Sequence, residues 1–434
     1  MYEDGLADPV SSHPSEVVER KDGDSFRDAL PWVIGVVSGL VVLLSLAIIA
    51  LWLAYQSGEV RFGGPPESLE LWEGEYREMT GLDRIGELRG DGVIICIVDT
   101  GIDTSHPDLE DAKIVGWNDL ISNSELPYDD EGHGTAMAGI IASKGGLNGV
   151  SPEVDLLIAK AISDDGSGTD STISDAVDWC VNGEADIISL SLGGNQGFGS
   201  GFFTTDQLEE SVQNAIDSGV YVVAAAGNDG DDDDGDVESP GSVEDVICVG
   251  AVTRTSSIWS GSSEGDNNGR IWPNPILPRQ DPDKKPEIVA PGHEVPVLMA
   301  SATGSGTWWG WSSGTSAATA WVSGSIAIFL EANPEMKRDG GQGGVSAISN
   351  LKTMISQNSE MRDGQDGHDD HYGYGLLRID LLINETQNSS LAPGTLNTNK
   401  MDYEGHHIGQ FKDPQVARRM TASVPPDNST KETE

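Results

Sequence analysis

Three residues far apart in this 434-residue chain have the types that nucleophilic catalysis requires. Asp99 follows the apolar run Val-Ile-Ile-Cys-Ile-Val at 93–98 and opens Asp99-Thr100-Gly101. His133 lies between Gly132 and Gly134, at the start of an apolar stretch. Ser316 opens a stretch of small residues, Ser316-Ala317-Ala318-Thr319-Ala320. A serine hydroxyl is a weak nucleophile until a neighbouring base takes its proton. An imidazole titrates near neutrality and suits that task. A buried carboxylate fixes the imidazole tautomer and stabilises its charged form. Singly, each residue has a plainer explanation: a turn aspartate, a packed histidine, a helix N-cap serine. The set is what points to covalent hydrolysis.

Elements that could position the three are legible between residues 91 and 383. Near-continuous apolar runs at 93–98, 155–161, 185–192, 220–226 and 245–252 predict strands covered on both faces. They alternate with helical stretches at 134–143, 170–181, 206–217 and 315–331. Such alternation predicts an α/β fold of three layers, a mostly parallel sheet flanked by helices. An aspartate just past a parallel strand stands where such sheets hold functional groups. A helix beginning at Ser316 would put its hydroxyl in the positive field of the helix N-terminus. Cys96 and Cys248 fall in strand-like runs and Cys180 in a helical one, so the reading is three free, buried thiols.

Around this domain the chain divides into an acidic, cytoplasmic tail (1–30), an uncharged apolar segment (31–54), a linker (55–90) and a polar, disordered tail (384–434). The apolar segment is long enough as a helix to cross a hydrocarbon core of ~30 Å. Trp32, Trp52 and Tyr55 lie at its ends, where interfacial aromatics belong. Its length and its start after thirty residues favour an uncleaved transmembrane helix over a signal peptide. Arg20, Lys21 and Arg27 precede it, which points to a single-pass membrane protein with a cytoplasmic N-terminus and the α/β domain outside. Asn384, Asn388 and Asn428 head sequons compatible with that exterior. The formal net charge of −46 argues against a nucleic-acid partner and points to a medium whose salt screens self-repulsion.

The motif set resembles the subtilisin-like serine peptidases (subtilases). The matching blocks are Asp99-Thr100-Gly101, His133-Gly134-Thr135 and Gly314-Thr315-Ser316-Ala317-Ala318, in the family's order of Asp, His and Ser. Four more blocks agree: SLSLGG at 189–194, VVAAAGN at 222–228, VAPG at 289–292 and GYGLL at 373–377. The resemblance implies a catalytic triad of Asp99, His133 and Ser316. It implies an oxyanion hole completed by Asn228, whose side-chain amide would stabilise the developing negative charge. It also implies a substrate groove lined by Ser191, Leu192, Gly193, Ala225 and Gly227. Ala320 and Trp321 stand where the family has Pro and His; losing that proline predicts a straighter helix. Asp108 matches a calcium position, but its partner loop is shortened, running Ala142-Ser143-Lys144-Gly145-Gly146-Leu147. No cofactor is required for the chemistry and no metal ligand is assigned, although structural calcium is possible, and the acidic run 229–236 could hold it through carboxylates. The segment 55–90 is too short for a folded pro-domain.

The implied function is a membrane-anchored serine endopeptidase acting on proteins or peptides. The alternative is an inactive, subtilisin-shaped binding or scaffold module. The intact residues at all four positions favour the enzyme. His368-Asp369-Asp370-His371 is the best candidate for a metallohydrolase site, and it reads as a polar loop before GYGLL.

Overall fold

The computed structural model describes residues 24–56, 64–193, 207–230, 235–269 and 277–391. The chain forms two compact units, Met1–Gly64 and Pro65–Glu434. In the first, helix α1 runs from Asp24 to Gln56. Its segment Ala29–Leu53 is 25 residues long with a mean hydropathy of 2.8, and none of its most apolar window is buried. A membrane span and a signal sequence both have these properties.

The second unit is built on a seven-stranded parallel sheet. Its strands are β1 (Ile94–Asp99), β2 (Lys113–Asp119), β3 (Asp155–Lys160), β4 (Ile187–Leu190), β5 (Tyr221–Ala225), β6 (Ile247–Val252) and β7 (Ile288–Pro291), in the order β2-β3-β1-β4-β5-β6-β7. A short antiparallel pair, β8 (Val295–Leu298) and β9 (Trp309–Ser312), stands apart from it. Helices α2 (Glu67–Thr80), α3 (His133–Ala142), α4 (Asp170–Asn182), α5 (Gln207–Asp217), α6 (Thr315–Ala332), α7 (Val345–Asn358) and α8 (Ile379–Leu391) complete the unit. The subtilisin-like three-layer fold implied by the motifs is therefore present.

Helix α6 is the centre of the packing. Buried almost throughout, it lies against β4 to β7 and α3. Its small residues allow close approach to the sheet, and apolar character on every side suits a core helix. It runs unbroken through Ala320, in line with the loss of proline there.

Segment 55–90, read from sequence as a linker, contains α2. Leu69, Trp72, Tyr76 and Met79 recur at helical spacing among acidic residues. Tyr76 is fully buried and its hydroxyl donates to the His293 carbonyl. Gly81 ends the helix in the left-handed conformation, φ 75°, where a Cβ would also lie 2.2 Å from Asp380 Oδ1. Helix α8 continues past residue 383 to Leu391, with Leu382 and Ile383 buried near its start. The tail beyond 391 and the first 23 residues lie outside the described residues.

One expectation fails. Cys96 and Cys180 form a disulfide with Cα atoms 5.7 Å apart, and Cys248 alone is a free, buried thiol. The strand order explains the pairing. Helix α4 connects β3 to β4, and β1 lies between those two strands, so α4 crosses over β1 and brings Cys180 above Cys96. The bridge spans 84 residues of sequence. Reducing it should cost about 4.5 kcal/mol by loop entropy, read as a lower urea midpoint with dithiothreitol present.

Candidate active site

The strand order reverses beside β1: from β1 the chain passes to the outer edge at β2, comes back inward to β3, and then crosses to β4 on the other side of β1. A crevice at such a switch point, beyond the carboxyl ends of the strands, is where α/β sheets hold their ligands. Asp99 ends β1, Ser191-Leu192-Gly193 follows β4, and Ala225 to Asn228 closes and follows β5. All the residues singled out on these strands thus meet at one edge.

Asp99 is 2% exposed. Its Oδ1 and Oδ2 accept from His133 Nδ1 at 2.8 and 3.0 Å, and Oδ1 also accepts from Thr100 N at 2.7 Å. This leaves the far imidazole nitrogen, Nε2, as the group that can take a proton. Burial lowers the His133 pKa, but the Asp99 charge and hydrogen bond, with the Glu131 and Asp129 charges, outweigh it and raise the pKa to about 9. The ring is about one-third exposed, so solvent moderates that effect.

The glycines of the two motifs have a steric reason. Gly101 has φ 123°, and a Cβ there would lie 2.0 Å from the Tyr128 carbonyl oxygen. A Cβ on Gly134 would lie 2.2 Å from the Gly101 carbonyl oxygen. Only glycines let β1 and α3 approach closely enough for Asp99 to reach His133.

Sequence reasoning missed the residue that fixes this approach. Asp129, 4% exposed, accepts from Thr100 Oγ1 (2.9 Å), Gly132 N (2.8 Å), Thr135 N (2.8 Å) and Thr135 Oγ1 (2.6 Å). It caps α3 and ties both motifs together. Its position three residues before Gly132 carried a signal, hidden in the acidic run Asp129-Asp130-Glu131.

Ser316 is the second residue of α6. Its Oγ donates to the Ser191 carbonyl at 2.9 Å, and Ser191 Oγ returns a bond to the Ser316 carbonyl at 3.1 Å. The hydroxyl is thus parked on the segment after β4 and makes no hydrogen bond to His133. Asn228 Oδ1 accepts from Thr315 N (2.9 Å) and Thr315 Oγ1 (3.1 Å). With its oxygen so engaged at the start of α6, the exposed Asn228 can offer only its Nδ2 hydrogens to a ligand. Thr315, fully buried, also accepts from Gly227 N at 3.2 Å and is a second positioning residue. Ser191 and Ala225 are buried, Leu192 is half-buried and Gly193 is exposed.

Two candidate metal groups are engaged otherwise. The Asp108 carboxylate accepts from Gly146 N (2.8 Å), Leu147 N (3.0 Å) and Trp309 Nε1 (2.7 Å). The carboxylate thus ties the shortened 142–147 loop and the Trp309 indole to the turn that follows β1. His368 Nε2 and His371 Nε2 each lie against a carbonyl oxygen, of Pro286 (2.9 Å) and Ser262 (2.7 Å). No cluster of three or more His, Cys, Asp or Glu side chains placed to hold a metal occurs among the described residues. Part of the acidic run 229–236, residues 231–234, lies outside them.

Comparison with known proteins agrees with this architecture. The chain is 35% identical over 273 residues to the serine protease AprX of Bacillus subtilis, covering 58% of this chain and 60% of that protein. It is 35% identical over 257 residues to the major intracellular serine protease of the same organism, covering 57% and 71%. The chain thus spans less than two thirds of the length of AprX. A solved structure of a cold-adapted subtilisin-like serine proteinase superposes with a TM-score of 0.51 at 26% identity, covering 69% of this chain and 97% of that one. The profile of the Subtilase family matches residues 90–375, the stretch that carries β1 to β7 and every residue of the crevice, and this chain belongs to that family.

Proposed function

We propose that the chain is a serine endopeptidase with Asp99, His133 and Ser316 as its catalytic triad and Asn228 as an oxyanion donor. The observation that carries the reading is the buried Asp99 carboxylate holding His133 Nδ1 at 2.8 Å. An imidazole held in that tautomer can take the Ser316 proton at Nε2 once the hydroxyl rotates away from the Ser191 carbonyl. Oγ then attacks the scissile carbonyl. The charge forming on the carbonyl oxygen is met by Asn228 Nδ2 and the Ser316 N–H at the start of α6. Protonated His133 returns the proton to the leaving amine, and water repeats the sequence on the acyl-enzyme. An inactive scaffold would need a defect at one of these four positions, and each keeps the required group. Substrates are proteins or peptides lying along Ser191 to Gly193 and Ala225 to Gly227.

The apolar Ala29–Leu53 helix and the basic residues before it support a membrane anchor with the catalytic unit outside. The Cys96–Cys180 disulfide supports the same side of the membrane, since such bridges persist in oxidising compartments.

The full chain in detergent micelles should hydrolyse a denatured protein, and prior treatment with a fluorophosphonate should stop it. Hydrolysis that survives complete fluorophosphonate treatment would remove serine from the mechanism. Asn228→Ala should lower kcat about 100- to 1000-fold with little change in KM, the scale known from subtilisin, as its amide acts on the transition state. Glu131→Gln keeps an acceptor for His133 N, now at 2.7 Å, but removes a charge that raises the imidazole pKa. The acid limb of kcat/KM, set by a base with a pKa raised to about 9, should therefore move to lower pH in that variant.

A further inference from the structure

Resting on the endopeptidase reading, we infer that Lys160 is a positioning residue of the reaction. Its ammonium clamps the turn after Asp99 to the segment that leads into His133, and so keeps carboxylate and imidazole in register. Lys160 ends β3, where it pairs with Asp99 at the end of β1. Its side chain is fully buried.

The ammonium spends its protons on three acceptors. Nζ donates to the Thr100 carbonyl (2.6 Å), to Asp130 Oδ1 (2.7 Å) and to the Ile162 carbonyl (3.1 Å). It also stands over the Tyr128 ring, 4.9 Å from the centroid, where a cation is attracted to the aromatic face. Thr100 follows Asp99 directly, and Asp130 lies three residues before His133. One cation therefore holds both segments. The Asp99 main chain is tied to the same place, since its carbonyl accepts from Ala161 N (2.9 Å) and Ile162 N (3.2 Å). Thr100 lies one residue beyond β1, and Lys160 supplies the donor that its buried carbonyl needs.

An ammonium withdrawn from water is tolerated only when it is paired and hydrogen-bonded, and an apolar side chain would fill the same space without that cost. What the lysine adds is a fixed placement of its acceptors, and two of them flank the Asp99–His133 pair. Its tetrahedral donors reach acceptors in different directions, which a planar guanidinium cannot do. Lys160→Met keeps the unbranched stem and leaves the Thr100 carbonyl and Asp130 without their shared donor. The turn then moves relative to His133, and a shift of about 1 Å at a reacting group costs about a hundredfold in rate.

The test compares the full chain, Lys160→Met, Asp99→Asn and the double variant in detergent micelles on one peptide substrate. Lys160→Met should lower kcat about ten- to a hundredfold with KM within about threefold of the wild type. In the Asp99→Asn background the same substitution should cost less than about threefold, because the geometry that Lys160 protects has already lost its function. Thermal melts show which variants are folded at the assay temperature. Should Lys160→Met not fold, Asp130→Asn takes its place. That change at an exposed partner weakens one charge-assisted bond and should lower kcat about threefold with KM unchanged, again only when Asp99 is present. A folded Lys160→Met with wild-type kcat overturns the inference, as does a loss of equal size in both backgrounds. An unfolded Lys160→Met beside an Asp130→Asn with wild-type kcat overturns it too. In each of these cases a wild type that cleaves and reacts with a fluorophosphonate leaves the endopeptidase reading standing. A wild type that does neither overturns that reading and this inference with it.

Discussion

Ser316→Ala should lower kcat by about a millionfold, the scale known for loss of the nucleophile in subtilisin, and leave the melting temperature within a few degrees of the wild type. The expected effect on turnover is large because no other hydroxyl occupies the start of α6 in the same way. Thr315 is fully buried and bonded to Gly227 and Asn228, and Ser313 lies before the helix, where its Oγ accepts from Glu294 N at 2.9 Å. The expected effect on folding is small because the hydroxyl contributes one bond, to the Ser191 carbonyl, at a half-buried position. Stopped assays on a peptide substrate, paired with thermal melts, read both quantities.

Asp99→Asn should lower kcat about ten-thousandfold at neutral pH. Its amide keeps the shape of the carboxylate, but it removes the charge that stabilises the imidazolium formed during attack. It also permits the wrong tautomer, with the proton on Nε2. Without the Asp99 charge and bond, the burial that opposes protonation of His133 meets less resistance, so the imidazole pKa falls. The residual activity of the variant should accordingly appear at lower pH than in the wild type. Stability carries the same signature with a defined sign. A histidine whose folded pKa is raised to about 9 stabilises the folded chain fully below its ordinary value near 6.5, and that contribution is lost as pH rises through about 9. Asp99→Asn should flatten this part of the stability profile, measured by urea midpoints across the range.

Much of the fold and the site was legible because each motif answers a local demand. Strands β1, β3, β4, β5 and β6 are continuous apolar runs, and α3 to α6 follow turn or cap residues at their starts. The glycines at 101 and 134 are dictated by contacts under 2.5 Å to a would-be Cβ. The parts that were not legible depend on what lies adjacent in space. Strand β2 is an edge strand with a half-buried, partly polar sequence, so neither an apolar run nor strict alternation marks it. Helix α2 carries its apolar spacing among five glutamates. The disulfide follows from β1 lying between β3 and β4, which no local pattern encodes. Asp129 is one acid among 71, and only its hydrogen bonds set it apart in the acidic run that holds it.

The central claim is that His133, oriented by Asp99, makes Ser316 the one reactive serine of the chain. Reaction of the full chain in detergent with a fluorophosphonate, followed by digestion and mass mapping, tests it directly. The account predicts a single adduct on Ser316, formed faster as pH rises toward 9 and absent from the His133→Ala variant. An adduct on another residue, or an unmodified Ser316 in protein shown by its melt to be folded, would contradict it.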